Sequence, residues 1–285
     1  MKNVKPGKKN FGGKLLKTGL VVTSTLFIIG SASVAAQNTD YFSMFFGAQE
    51  SGIESQSVNQ SISVSGIKMA VEESIIGGKS ALILVSFEKE DGTAFQNDVV
   101  IPNLELGWKQ NASYMVDQQM TEDRKKLMIM FDIDTTKNIS GEKLTISADK
   151  VLDSKTDEVL VNGPFHLTFI GSESPTSQNI SVDLNLAEDD EKLQLDAINI
   201  SANGIGIEGT RQDGETEFLP TYTPVVTVTT IDEKTFELKA GSTSTTESGF
   251  KWQYNLNEDQ ERLFLNDETI KSVTIDGNVI DVQQK

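Results

Sequence analysis

The 285-residue chain contains no cysteine and a single histidine, His166. The first absence excludes disulfides, thiolate zinc sites, iron–sulfur clusters and cysteine nucleophiles. The second leaves the usual transition-metal sites short of ligands. Without crosslinks the fold must rest on buried apolar area, and this length suffices for one large domain or two smaller ones. Basic residues are also scarce: 25 Lys and Arg stand against 42 Asp and Glu, for a net charge of −17. An acidic surface repels phosphate backbones, so nucleic acid is not an expected partner. Long apolar runs with a 3.6-residue period are missing too, which makes helix a minor component.

The lysines that are present are unevenly placed. Lys2, Lys5, Lys8, Lys9, Lys14 and Lys17 fall within residues 1–17 with no acid among them, whereas the chain beyond Gln37 is strongly acidic. Between the two runs lies TGLVVTSTLFIIGSASVAA, residues 18–36, uncharged throughout. Its length is near the minimum for a membrane-spanning helix. Val34 and Ala36 also have the spacing a signal peptidase reads, so the segment serves either as an anchor or as a signal cleaved near Ala36. In both readings the positive-inside rule keeps residues 1–17 in the cytoplasm and carries the bulk outside. The expected partners are therefore the membrane, through residues 18–36, and a protein of the envelope. Localisation is to the cell membrane as a single-pass protein, or outside the cell after cleavage.

Residues 37–57 form a juxtamembrane linker that begins with the aromatic cluster Tyr41, Phe42, Met44, Phe45 and Phe46. Two readings stand: an interfacial belt at the lipid headgroups, or a short amphipathic helix packed on the first domain. Strand signals then repeat to the end. Ile62, Val64, Ile67, Met69 and Val71 alternate with a slip at Ser65-Gly66 that suggests a bulge. Ala81 to Phe87 is a continuous apolar run bounded by Gly77-Gly78 and Glu90-Asp91-Gly92, as a buried strand requires. Leu127, Ile129, Phe131 and Ile133 alternate, as do Leu144, Ile146, Ala148 and then Phe165, Leu167, Phe169. Past the Ser/Pro/Gly stretch GSESPTS at 171–177, alternation resumes at Ile180, Val182, Leu184 and Leu186. It continues to the turn Asp276-Gly277-Asn278, a hairpin signal. The expected fold is mainly β, with two tandem antiparallel β-sandwich (immunoglobulin-like) domains over residues 58–172 and 173–285.

Chemistry is sparse. His166 lies on the outward face of a strand, and no Gly-x-Ser-x-Gly elbow accompanies it. Asp132 and Asp134 share one strand face, and Glu188–Glu191 make an acidic turn, yet neither matches a calcium loop with its distal Glu. Gly204-Ile205-Gly206-Ile207-Glu208-Gly209 is read as a glycine-kinked strand, not a phosphate loop, because no helix follows it. Trp108, Trp252 and Tyr254 are read as core aromatics. No catalytic, cofactor-binding or metal-binding residue is assigned, and no cofactor is expected.

The basic tail, the membrane segment ending in small residues, the Phe-rich exit and SISVSGIKMAVEESIIGGKSALILVSF (residues 61–87) together resemble one family. It is the uncharacterised ectodomain family of Gram-positive anti-sigma-factor-like membrane proteins. IKSVTIDGNVIDV, residues 270–282, is similar to the closing strands of the immunoglobulin-like domain that often follows. Members acting on a sigma factor carry a cytoplasmic domain, which the segment Met1–Lys17 is too short to supply. The resemblance implies no catalytic residues. The expected function is a membrane-anchored, non-enzymatic β-sandwich protein with a binding or envelope-sensing role. The alternatives are a signalling accessory resembling an anti-sigma factor without its sigma-binding domain, and a secreted carbohydrate-binding or carbohydrate-active protein.

Overall fold

A computed structural model describes residues 26–27, 41–46, 55–110, 112–173, 177–188, 191–201, 203–213, 219–246, 249–259, 265 and 270–282. In chain order the first elements are β1 (Leu26–Phe27), the helical turn α1 (Ser43–Phe46), β2 (Gln56–Val64), β3 (Ile67–Gly77), β4 (Ser80–Lys89) and β5 (Val99–Val100). Next come β6 (Leu104–Gly107), β7 (Ala112–Met120), β8 (Lys126–Thr135), β9 (Lys143–Asp153) and β10 (Val159–Ile170). The remainder is β11 (Gln178–Glu188), β12 (Glu191–Ser201), β13 (Gly204–Arg211), β14 (Val226–Thr230), β15 (Thr235–Thr245), β16 (Phe250–Leu256), β17 (Ile270–Ile275) and β18 (Asn278–Asp281). The architecture is mainly β, and every strand pairing within it is antiparallel.

Strands β1-β2-β3-β4-β8-β7 form a six-stranded sheet, and β10-β9-β5, with β6 beside β9, form a four-stranded one. Their facing residues make one core. Ile83, Val85, Phe87, Ile129 and Phe131 of the first sheet meet Leu144, Ile146, Phe165, Leu167 and Phe169 of the second. Phe87 and Phe165 touch edge to face, 5.2 Å between ring centroids, the arrangement that aromatic quadrupoles favour. The alternation that predicts β8, β9 and β10 is this inward face. β4 is apolar at successive positions for a different reason: its other face, Leu82 and Leu84 with Ile75 and Met130, is buried under Phe42, with Tyr41, Phe45 and Phe46 packed alongside. The aromatic cluster therefore lies on the outer face of the six-stranded sheet as a short helical turn. Each large side chain so covered contributes about 1.5–3 kcal/mol.

Strands β11-β12-β13-β16-β15-β14-β17-β18 form a single eight-stranded sheet. It folds over on itself because β15 serves both layers: Thr235–Leu238 pair with β14, and Lys239–Thr245 pair with β16 after register shifts around Ala240. Leu193, Ile198, Ile207, Trp252 and Tyr254 from one layer and Val226, Val228, Val273 and Ile275 from the other close its core.

Two turn readings differ in outcome. Asp276 and Gly277, with φ of 46° and 80°, make the expected hairpin between β17 and β18. Ser65-Gly66 is not a bulge but another two-residue hairpin turn, with φ of 49° and 83°. Two consecutive left-handed residues match the type I′ turn that suits strand twist, and their residue pair mimics a one-residue slip in the alternation. The expected membrane segment, residues 18–36, lies outside the described residues except for Leu26–Phe27, which pair with Ile62 and Ser61. Among the described residues no helix is long and apolar enough to cross a membrane.

Candidate functional site

The two cores meet through polar portions of the outer faces of their sheets. In β8 the residues alternate: Phe131 and Ile133 point into the first core, so Asp132 and Asp134 stand on the opposite face. In β16 the same rule sends Phe250, Trp252 and Tyr254 into the second core and turns Lys251, Gln253 and Asn255 outward. The two outward faces are pressed together. Lys251 Nζ is salt-bridged to Asp134 and lies 3.5 Å from the Thr135 carbonyl. Asn203 Nδ2 donates to Asp132 Oδ1 at 2.9 Å, and Gln253 Nε2 donates to the Asn203 carbonyl at 2.8 Å. Ser80 and Ser201 hydroxyls lie 3.1 Å apart, and Lys79 pairs with Glu208 at 2.5 Å. The Lys251 side chain is only 2 % exposed. A charge so enclosed persists only when paired, because its desolvation costs several kcal/mol.

Beside this network a cleft of about 160 Å³ opens between the units. One wall is Ser113–Met115 of β7 with Asp132 and Asp134, and the other is Gly241–Ser244 of β15 with Asn203, Gln253 and Asn255. Gly241 lies in the irregular stretch of β15, where register with β16 shifts between Ala240 and Ser242. A side chain at Gly241 would collide with Asn255, so glycine is what lets the Asn255 amide sit there. Asn255 is 6 % exposed, and its Oδ1 has no hydrogen-bond partner within the protein. A buried acceptor left so costs about 1–3 kcal/mol. The cleft is lined by residues bearing carboxylate, amide and hydroxyl groups, although most of the surface it exposes is apolar; the Asn255 Oδ1 itself is enclosed by protein atoms. The cleft is smaller than the ~300 Å³ at which drug-sized ligand pockets begin, so it accommodates a side chain or a short stretch of backbone.

The residues singled out from sequence are dispersed. His166 is on the exposed face of β10, hydrogen-bonded to Ser147 Oγ at 3.0 Å. Trp252 and Tyr254 lie in the second core, and Trp108 packs against the first. Gly204–Gly209 begin the bent strand β13, where Gly209 is backed by the Gln194 carbonyl and the Phe250 ring. Glu191, part of the acidic turn, is structural: its carboxylate accepts from the Thr221 and Tyr222 amides, each at 3.0 Å, and pairs with Arg211 at 3.0 Å. Only Asp132 and Asp134 come to the cleft. Their partners Asn203 and Lys251, and the neighbouring Gln253 and Asn255, carry no signal in the sequence, since polar residues alternating with core residues look the same whether they face water or another domain.

Tyr254 marks the inner side of this region. Its hydroxyl donates to the Pro224 carbonyl at 2.8 Å. Burial, reinforced by the nearby Asp276 and Tyr222, pushes its pKa well above that of a free phenol. In the unfolded chain the phenol ionises near pH 10, whereas in the folded chain it stays protonated. The folded state therefore holds more protons there, and stability falls as pH rises above about 10. Tyr254→Phe is expected to flatten that fall between about pH 10 and 12 in urea titrations; an unchanged slope would mean the phenol ionises in place.

No protein-family model matches the sequence, and no curated protein matches it. Among solved structures, the chain resembles one described as the conserved domain protein from Bacillus anthracis. The TM-score is 0.55 at 12% identity, over 78% of this chain and 76% of that one. At that identity the likeness concerns the fold: a mainly β architecture of antiparallel sheets shared across most of both chains.

Proposed function

We propose that this chain is an exported, single-pass membrane protein of a Gram-positive envelope whose two immunoglobulin-like sandwiches bind a protein partner without catalysing a reaction. The observation that supports the binding part is the cleft where the two units meet, lined from both sides by residues with polar side chains yet exposing mainly apolar atoms. The export part is supported by the charge partition: lysines confined to residues 1–17 ahead of an uncharged stretch, acids after it. Membrane insertion withdraws Leu26–Phe27 from β2. That exchange gives up two residues of strand pairing and gains burial of a run in which each Leu, Ile, Phe or Val contributes about 0.3–0.6 kcal/mol at the helix centre. The family resemblance of residues 61–87 and 270–282 points the same way.

The test is protease treatment of intact cells followed by fractionation. The expected result is loss of the β-rich units from intact cells, with an N-terminal tag on Met1 retained in the membrane fraction. Protection in intact cells with digestion after lysis would overturn the topology. A species beginning near Gln37 in the medium would replace the anchor by a cleaved signal. Turnover of peptide, glycan or ester substrates by the full-length chain would overturn the non-enzymatic reading.

A further inference from the structure

An outermost strand leaves one row of backbone donors and acceptors unpaired, and proteins blunt such edges with short strands, bulges, lysines or prolines. Almost every outermost strand here is so treated. β1 and β5 are two residues long, β6 and β18 are four, and β2, which among the described residues β1 covers only at Ser61 and Ile62, carries a register shift between Ser57 and Gln60. β10 carries two register shifts and Pro164, and β11 carries one shift. β7 is the exception. Its nine residues, ASYMVDQQM, pair with β8 without a register shift from Ala112↔Thr135 to Met120↔Leu127. It contains neither lysine nor proline, and among the described residues no strand lies on its other side. Ser113, Tyr114, Met115, Asp117 and Gln119 are exposed, Met115 to 53 %.

The N-terminal end of this bare edge is a wall of the junction cleft. The cleft is lined by consecutive residues on each side, Ser113–Met115 and Gly241–Ser244. Successive residues of a strand face opposite ways, so a wall made of consecutive residues presents the strand's edge. The facing segment of β15 is also an edge, since Ser242–Thr245 pair only with β16 among the described residues. From these two edges, we infer that β7 is a strand-addition site: an extended segment of a partner protein pairs along Ala112–Met120 and ends in the cleft.

The chemistry of that segment follows from its surroundings. Ala112, Val116 and Met120 pack against the first core, while Tyr114 and Gln118 between them are tied to the Leu106 and Ile101 backbone, so the partner's residues on that face are mainly apolar and β-branched. On the other face stand Ser113, Met115 and Asp117, in a chain of net charge −17; lysines or arginines suit that overall charge, Asp132 and Asp134 being already held by Asn203 and Lys251. The same charge argues against a second copy as the occupant, because two such chains repel. Main-chain hydrogen bonds supply affinity and the alternating side chains supply specificity.

The inference rests on the reading of this chain as a binding protein, and it is tested separately from export. The full-length chain is titrated with an acetylated decapeptide alternating Val and Lys, while amide exchange is followed along the chain. The expected result is slowed exchange confined to residues 112–120 and 241–245. Binding should weaken by about tenfold or more when the peptide's amides are N-methylated, since two or more hydrogen bonds of about 1 kcal/mol each are lost. It should weaken similarly for a Gly/Lys decapeptide of equal charge. Equal affinity for all three peptides would show charge attraction alone and overturn the proposal, as would absence of protection at 112–120 at millimolar peptide. A dimer in sedimentation that peptide does not disrupt would assign the edge to a second copy, which also overturns it. Failure here with export intact leaves the exported binding protein standing without this site.

Discussion

Lys251→Met is expected to lower the stability of the full chain by about 3 kcal/mol, seen as an earlier urea midpoint. The Lys251 side chain is 2 % exposed and holds Asp134, whose side chain is 19 % exposed, across the junction. Removing the cation leaves that carboxylate and the Thr135 carbonyl facing a methionine, and stripping one partner from an enclosed pair costs about 3–5 kcal/mol. The paired replacement Lys251→Met with Asp134→Leu is expected to recover most of the loss, since an apolar pair of similar volume carries no stranded charge. A loss below about 1 kcal/mol for Lys251→Met would place the pair among weak surface bridges and remove it as the clamp between the units.

Trp252→Ala is expected to have the largest effect of any single change in the second unit, about 4 kcal/mol. Trp252 is fully buried on β16, with its ring centroid 4.4 Å from that of Phe250. Its Nε1 proton, however, has no acceptor, and an unsatisfied buried donor costs about 1–3 kcal/mol. Trp252→Phe removes that donor together with part of the ring, so the two terms oppose each other. The expected net change is about 1 kcal/mol or less. Chemical denaturation of both variants checks the contrast. A Phe variant as unstable as the Ala variant would mean that shape, not the orphaned N–H, governs the site.

These two residues show how much the chain discloses by itself. Trp252 and Tyr254 alternate with Lys251, Gln253 and Asn255, and the period alone identifies a strand with an apolar face. The mainly β character, the Asp276-Gly277 turn and the inward faces of β8, β9 and β10 follow from such patterns. The junction does not, because a lysine facing a partner domain and a lysine facing water are spelled alike. β7 is overlooked for a related reason: as an outermost strand it sets only Ala112, Val116 and Met120 against the core, too few to impose alternation. The aromatic run at 41–46 admits a lipid or a protein surface equally, and only the apolar outer face of β3, β4 and β8 decides for protein. Ser65-Gly66 misleads because a two-residue reversal and a one-residue slip displace the pattern similarly.

The bend in β15 has a thermodynamic meaning. Thr235–Leu238 belong to one layer of the second unit and Lys239–Thr245 to the other, so a single covalent strand is common property of both. Neither layer can melt and leave its neighbour intact, because loosening either one releases half of the strand that the other is built on. The unit is expected to open all at once, and any partner that grips the Gly241–Ser244 margin would be felt throughout it.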